Sequence, residues 1–376
     1  MSKNFFPSKN LVSLGSKRNL GENDYLQPLS LLIESLKKEA DLSLFGSLSV
    51  AYLLNNQLRT RSKIFNYIKN TEVSEPSQPI FIMGLPRSGT TFLFHLLGLD
   101  KDHRSPYFWE ILHTFPLTSS NSQKEKRRIK RTNFELSLLN NLIPEMKIIH
   151  PIHSNFPEEC TLLTAFSMRS YSYIYIANVP SYEDFLKKEN FSPGFLWHSR
   201  FLQVLETKRK PLRWLLKDPN HVEHLPEIIN QYPKARFIHI HRDPSESIAS
   251  ICSVTSKVRA GFSKKQNNFQ IGSNTLDFWQ NALEKYLEQK NIIPSDQIFD
   301  IQFQDLIRDP LKSIKSIYSH FGFDLQENFK EKIIKFLKEP TKLKEGKHKY
   351  DLKDFGLNEI LVRERMNKYI KEKVKL

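Results

Sequence analysis

The 376-residue chain carries 56 Lys and Arg against 41 Asp and Glu, a formal charge of +15, with 39% hydrophobic residues but only 12 Gly and 2 Cys. This composition excludes collagen-like repeats, low-complexity disorder and a disulfide scaffold, and the length suits one large α/β domain or two small ones. Cys160 and Cys252 are too few for a stapled secreted fold or a four-cysteine zinc site, and they read as reduced thiols of a cytoplasmic protein. The first thirty residues lack a continuous apolar segment and no run of about 18 apolar residues is unbroken, so neither a signal peptide nor a membrane span is expected.

In chain order, residues 1–25 read as a poorly ordered arm. From Leu26 to about Lys69, apolar residues recur at three and four (Leu29, Leu32, Ile33, Leu36; then Leu54, Leu58, Phe65, Ile68), predicting two helices in a helical N-terminal part over 26–75. After the polar TEVSEPSQ, PIFIMG reads as a buried parallel strand, followed by a glycine-containing turn and the helical TTFLFHLLG. Residues from about 110 to 210 read as a helical insertion. Within it Lys124, Lys126, Arg127, Arg128, Lys130 and Arg131 form the densest basic run, read first as the solvated face of an exposed helix. Its aromatic stretch, Tyr171, Tyr173 and Tyr175 with Phe166 and Trp197, fits either core or the wall of an apolar acceptor pocket.

RWLLKDP reads as a strand ending at Lys217, before a helix from about His221 to Asn230. ARFIHIH at 235–241 alternates in polarity, RDP breaks it, and Pro244 opens a helix expected to run to about Thr255. Near the C-terminus QIFDIQF reads as a strand and DPLKSIKSIYSHFGF as a helix. Strands alternating with helices predict an α/β fold, a central parallel sheet flanked by helices, in one domain over 26–376. Such sheets place ligands at the carboxyl ends of their strands.

One of those ends carries Gly84-Leu85-Pro86-Arg87-Ser88-Gly89-Thr90-Thr91, the phosphate-loop spacing. Glycines there let backbone N–H groups turn onto an anion, and the following helix adds its positive end. The NTPase pattern requires Lys directly after the second glycine. Here that position is Thr90 and the basic side chain is Arg87, which disfavours ATP or GTP hydrolysis.

PIFIMGLPRSGTTFLFHLL resembles the 5′-phosphosulfate loop of sulfotransferases that use 3′-phosphoadenosine 5′-phosphosulfate (PAPS), whose core is Pro-Arg/Lys-Ser-Gly-Thr-Thr. A second signature of that family, Arg with Ser eight residues on, is matched by Arg242 and Ser250 in HRDPSESIAS. RWLLKDPNHVEHLPEIINQYPKARFIHIHRDP, IFDIQFQDLIRDPLKSIKSIYSHFGF and HKYDLKDFGL resemble further family stretches. The match covers 79–360 in patches and is nearest the divergent bacterial-type branch.

The resemblance implies a sulfotransferase-like fold with a phosphate loop and transfer of a sulfonate group from PAPS to a hydroxyl of a small molecule or lipid. Arg87 and the N–H groups from Arg87 to Thr91, with Gly84, Pro86, Ser88 and Gly89 shaping the turn, would cradle the 5′-phosphosulfate. The Thr90 and Thr91 hydroxyls would donate to it. Phe92 stands either beside adenine or in the core. Arg242 and Ser250 would hold the 3′-phosphate, and Lys217 would neutralise the leaving phosphate unless it pairs with Asp218. For the base that takes the acceptor proton, Glu159 stands first, with Glu158 and His221 as alternatives. His221 follows Lys217 as Lys-Asp-Pro-Asn-His, where the family has Lys-x-His. Phe303 replaces a frequent family Tyr, keeping stacking and losing a polar contact, while Lys347, His348 and Tyr350 either close over the nucleotide or form a solvated loop. No metal is expected, since arginine and lysine do the work of a cation, and no nucleic-acid partner; an anionic membrane is one reading of the charge surplus. Competing classes are a P-loop kinase and a basic nucleic-acid or membrane-binding protein that keeps the fold.

Overall fold

The computed structural model describes residues 6–7, 18–120, 122–142, 153–339 and 351–375. PIFIMG forms β1 (Pro79–Gly84), buried at every position. It is joined by β2 (His103–Arg104), β3 (Arg213–Lys217), β4 (Arg236–His241) and β5 (Ile298–Gln302) in the order β2-β3-β1-β4-β5. Every pairing is parallel. A strand buried on both faces tolerates a continuous apolar run, and so the most apolar segment takes the centre. The fold is the expected α/β class, a central parallel sheet flanked by helices.

The chain gathers into two compact units. One comprises Met1–Pro76, Pro106–Lys210 and Thr255–Gln266, and the other Ser77–Ser105, Pro211–Val254 and Asn267–Leu376. The second unit holds the sheet. Period-two alternation sends Ile80 and Ile82 of β1, Leu215 of β3, Ile238 and Ile240 of β4 and Ile301 of β5 into one core. Leu93 and Phe94 of helix Thr90–Leu97 and Ile314 and Ile317 of helix Pro310–Phe321 complete it. Each such side chain, fully buried, contributes about 1.5–3 kcal/mol. The alternate residues face the other way, where Phe81 packs on Phe237, Tyr232 and His221, and His239 on Tyr286 of helix Asn268–Gln289. In that helix Gly272 is required, since a Cβ there would stand 2.0 Å from the Phe355 carbonyl oxygen.

The first unit is helical. Its helices include Leu26–Lys38 and Leu44–Lys69, the pair read from the sequence, and Gln123–Leu142, which carries the basic run. Arg61 is fully buried and organises this unit. Nε donates to the Leu20 carbonyl at 2.7 Å, Nη1 to the Phe166 carbonyl at 2.9 Å, and Nη2 to Asp24 at 2.5 Å, while the guanidinium lies 3.8 Å from the Trp197 ring centroid. Leu20, Asp24 and Tyr25, which the sequence assigns to an arm, all contact this arginine. Most of the aromatic stretch is core, with Tyr175 half-buried: Tyr173 donates to Gln57, Tyr182 donates to the Met168 carbonyl at 2.6 Å, and Tyr171 stacks on Phe191.

Local departures have local causes. The helix expected over 221–230 divides into a tight turn, Pro219–Glu223, and a helix, Leu225–Gln231. Asp218 caps the first by accepting from the Asn220 N–H, and Pro226 starts the second because it has no N–H to continue a preceding helix. The helix after Pro244 runs on to Phe262. Both cysteines are buried and neither forms a disulfide, and burial pushes the Cys252 thiol up to about 11. No helix among the described residues is long and apolar enough to cross a membrane.

Burial holds His103, His198, His224, His239 and His241 below the ordinary imidazole range, His198 at about 3. They stay neutral in the folded chain, whereas in the unfolded chain each gains a proton near pH 6.5. The stability they contribute is complete above that pH and is lost as pH falls below it, by about 1.4 kcal/mol per pH unit for each group. The urea midpoint is therefore expected to fall steadily from about pH 7 to about pH 5, before most carboxylates titrate. His198→Phe should flatten that slope by one proton, and an unchanged slope would show that His198 is not buried neutral.

Candidate active site

β3, β1 and β4 lie side by side and end at one edge of the sheet: Gly84, the last residue of β1, pairs with Ile240, and Lys217, the last of β3, pairs with Ile82, two residues earlier. The residues that come after these ends therefore share one edge of the sheet, as parallel sheets require of a binding edge.

After β1 the chain turns through Gly84 at φ 141°, Arg87 at φ 69° and Gly89 at φ 89° and enters helix Thr90–Leu97. A Cβ on residue 84 would stand 2.5 Å from the Ile240 carbonyl oxygen, and one on residue 89 would stand 3.0 Å from the Phe303 ring. Glycine is therefore demanded twice, by backbone on one side and by a ring on the other. The Ser88 N–H closes the turn on the Leu85 carbonyl at 3.1 Å. The Ser88 hydroxyl is fully buried and has no hydrogen-bond partner among the described residues, a state that a ligand oxygen would relieve. A concave turn at a helix N-terminus with an orphaned hydroxyl fits a phosphate-like group.

Arg242, the residue after β4, reaches this loop. Its Nη1 donates to the Arg87 carbonyl at 2.5 Å, Nε and Nη2 donate to Glu246 at 2.8 and 2.6 Å, and its guanidinium sits 4.1 Å from the Phe303 ring centroid. Ser250 is buried two turns along the helix that starts at Pro244. Lys217, closing β3, is also buried, with Nζ 3.3 Å from the Thr91 hydroxyl and 5.9 Å from the Phe94 ring centroid. One oxygen of Asp218 accepts from the N–H and the side-chain amide of Asn220, at 2.9 and 2.8 Å. Phe92 packs against the sheet core. Three cations, Arg87, Lys217 and Arg242, thus gather around one loop.

The candidate bases fall in two places. His221 is 2% exposed and meets the Phe81 ring edge-on at 4.9 Å, beneath the sheet edge. Glu158 and Glu159 belong to the first unit, ahead of the short helix Thr161–Thr164. Glu158 is buried with its N–H on the Pro106 carbonyl at 3.1 Å, and Glu159 is half-buried. Lys347, His348 and Tyr350 lie outside the described residues.

Sequence reasoning missed two supporting side chains and the neighbours of a third. Glu246 orients Arg242 and sits four residues after it, a spacing that signals an ion pair on a helix. Asp243 caps the following helix through Ser245 at 2.9 Å and binds Arg363 at 2.5 Å; the Asp-Pro-Ser string signals the cap, and nothing in the sequence signals the distant arginine. Phe303 was visible only as a ring for adenine, whereas its fixed neighbours are Arg242 and Gly89.

Among the described residues one group, His239, His241 and Asp300, brings potential metal ligands within 4.8 Å of one another. Asp300 accepts from His241 Nε2 at 3.0 Å and from Lys373 Nζ at 2.6 Å. An ammonium therefore already stands at the carboxylate that a divalent ion would need.

Residues 79–327 match the model of the sulfotransferase family. Omega-hydroxy-beta-dihydromenaquinone-9 sulfotransferase Stf3 of Mycobacterium bovis is 25% identical over 285 residues, 72% of this chain and 69% of that protein. Among solved structures, sulfotransferase STF1 of Mycobacterium tuberculosis is 29% identical with a TM-score of 0.81, covering 95% of this chain and 96% of its own. Sulfotransferase STF9 of Mycobacterium avium, 20% identical, has a TM-score of 0.85 and covers 98% and 97%, a likeness of fold. With the loop, the strand-end cations and a family match over most of its length, the chain belongs to the sulfotransferase family and, with it, to the enzymes that move a sulfonate group onto an acceptor hydroxyl.

Proposed function

We propose that the loop from Gly84 to Thr91 takes the 5′-phosphosulfate of PAPS, that Arg242 and Ser250 take its 3′-phosphate, and that the acceptor is a hydroxyl on a lipid-like molecule. The observation that carries this reading is the bond from Arg242 to the Arg87 carbonyl, which ties the second phosphate-binding arginine to the first loop along one sheet edge. The orphaned Ser88 hydroxyl and the two sterically demanded glycines support an anion in the turn. For the acceptor, support comes from the Mycobacterium bovis relative, whose name describes a hydroxylated menaquinone derivative.

PAPS supplies a sulfonate on a phosphate leaving group; transfer breaks the sulfur–oxygen bond to the nucleotide and leaves adenosine 3′,5′-bisphosphate. The protein's part is positioning and charge. Arg87 forks onto the peripheral oxygens, the N–H groups from Arg87 to Thr91 and the Thr90 and Thr91 hydroxyls serve the same turn, and Lys217 faces the leaving phosphate. Lys217 suits this role because its ammonium stands beside the Thr91 hydroxyl, at the mouth of the loop. These cations supply the charge that a metal ion provides in kinases, so the reaction proceeds without one. Glu159 takes the acceptor proton. Its half-buried position supports this over Glu158, which is buried, and over His221, which is packed on Phe81. Two buried thiols that form no disulfide support a cytoplasmic location.

Isothermal titration with adenosine 3′,5′-bisphosphate against AMP tests the donor site. Arg242→Ala should weaken the bisphosphate by about 10- to 100-fold more than it weakens AMP, the extra loss having the range of a charge-assisted hydrogen-bond pair and the smaller AMP loss reporting the lost bond to the Arg87 carbonyl. Ser250→Ala should act in the same direction with a smaller effect. Equal losses for both nucleotides, or equal affinities in the wild type, reject the 3′-phosphate assignment. For the base, Glu159→Gln should lower turnover by about 10²-fold or more with donor affinity intact, whereas near-normal turnover transfers the role to His221 or Glu158.

A further inference from the structure

Helices Leu44–Lys69 and Gln123–Leu142 of the first unit expose a stripe that the sulfonate transfer does not use. On the first, Leu44, Leu48 and Tyr52 are 65%, 52% and 48% exposed, at spacings of four that stack them on one face. On the second, Phe134 and Leu138 are 64% and 48% exposed on the stripe that also holds Arg127 and Arg131, at i, i+4, i+7 and i+11. The helices meet where the Tyr52 hydroxyl donates to Glu135 Oε1 at 3.2 Å. Glu135 is itself held by Arg131 Nε at 2.9 Å and His113 Nε2 at 2.8 Å.

The charges run along the same face. Leu44–Lys69 contains no acidic residue, and Arg59 and Lys63 continue the Leu44-Leu48-Tyr52 stripe as exposed side chains, whereas Arg61 is buried away from it. Lys124, Lys126, Arg127, Lys130 and Arg131 are exposed on the first half of the other helix. Tyr52 meets Glu135 while Lys63 feels Arg128, so the helices run antiparallel with their basic ends together and their apolar ends together. Burial first, then Arg18, Arg59 and Arg128, press the Lys63 ammonium below its ordinary range. A folded chain that crowds cations in this way beside bare Leu and Phe offers a surface for something both anionic and apolar.

We propose that this two-helix face docks the enzyme on an anionic lipid bilayer, the basic half on the headgroups and Leu44, Leu48, Tyr52, Phe134 and Leu138 in the interfacial layer. Each Lys or Arg brought near an anionic surface multiplies partitioning by about fivefold, and the apolar residues add a part that salt does not screen. Nucleic acid would meet the cations and leave the leucines and phenylalanine in water, whereas the interfacial region of a bilayer satisfies both. This face and the acceptor assignment stand independently of each other.

Flotation of the untagged full chain with vesicles tests the docking face. Binding is expected to vesicles of phosphatidylcholine with phosphatidylglycerol and not to phosphatidylcholine alone, with partial release by salt. Arg127→Glu with Lys130→Glu, and separately Phe134→Ser with Leu138→Ser, should each lower partitioning by about tenfold or more, with melting temperature and adenosine 3′,5′-bisphosphate affinity unchanged. Four outcomes overturn the proposal: no binding by the wild type; undiminished binding by both variants; competition by duplex DNA with no effect of the apolar variant; or loss of a dimer, read by sedimentation, as the only effect of that variant. Since binding to vesicles and to nucleotide are read separately, failure here leaves the donor site standing, and the reverse.

Discussion

The Ile240 carbonyl oxygen occupies the space beside residue 84, 2.5 Å from where a Cβ would stand, and this contact between β4 and the end of β1 governs the shape of the phosphate loop. With a side chain excluded there, β1 can run level with β4 to its last residue and then turn away at a φ that favours glycine. The turn that results places Arg87 in the left-handed region, which costs a non-glycine residue about 1 kcal/mol. Arg242 offsets part of that cost by donating to the carbonyl of the same residue. The loop is therefore held from two strands at once, and its backbone donors are set before any ligand arrives, the condition on which preorganised electrostatic sites depend.

The same geometry gathers the cations at one place. Arg242 is shared among the Arg87 carbonyl, Glu246 and the face of Phe303, which fixes its guanidinium beside the loop. Lys217 is buried, with its ammonium near the Thr91 hydroxyl and the Phe94 ring. Desolvating an ammonium is unfavourable, and a polyanionic nucleotide arriving at the loop adds an attraction that lowers that cost. The surplus of basic residues thus includes a few cations at strand ends that suit a small polyanionic ligand and a dense run on helix Gln123–Leu142, with the rest scattered along the chain.

Much of the sheet and the loop could be read from the residues because the strongest signals are short-range. PIFIMG, ARFIHIH and the turn Gly84 to Gly89 state their structure in period and punctuation, and the helix at Pro244 stems from a residue that fixes φ. What stayed hidden is long-range or brief. β2 is two residues, His103 and Arg104, and exists because β3 offers it a partner. The role of Gly89 depends on Phe303, more than two hundred residues later, and that of Asp243 on Arg363. The tyrosines at 171 and 173 show the converse limit: composition makes them equally suited to a pocket or a core, and only the Gln57 and Phe191 side chains decide for core.

The C-terminal helices close this network. Arg363 binds Asp243, Tyr369 donates to His241 Nδ1 at 2.8 Å, Lys373 binds Asp300, and Gln302 bonds the Lys373 carbonyl and the Lys375 N–H. Each partner lies on β4, on β5 or in the residue pair just beyond β4. His241 accepts from the tyrosine and donates to the carboxylate, so it is held as a neutral ring, in keeping with its depressed basicity. Arg242 thus emerges from a strand whose last side chain is fastened on both ring nitrogens and whose next carboxylate is fastened to another helix. Its bond to the phosphate loop is the end of a chain of contacts that begins at the last helix, and the position of the nucleotide-binding arginine is set as much by residues 363 to 375 as by the strand that carries it.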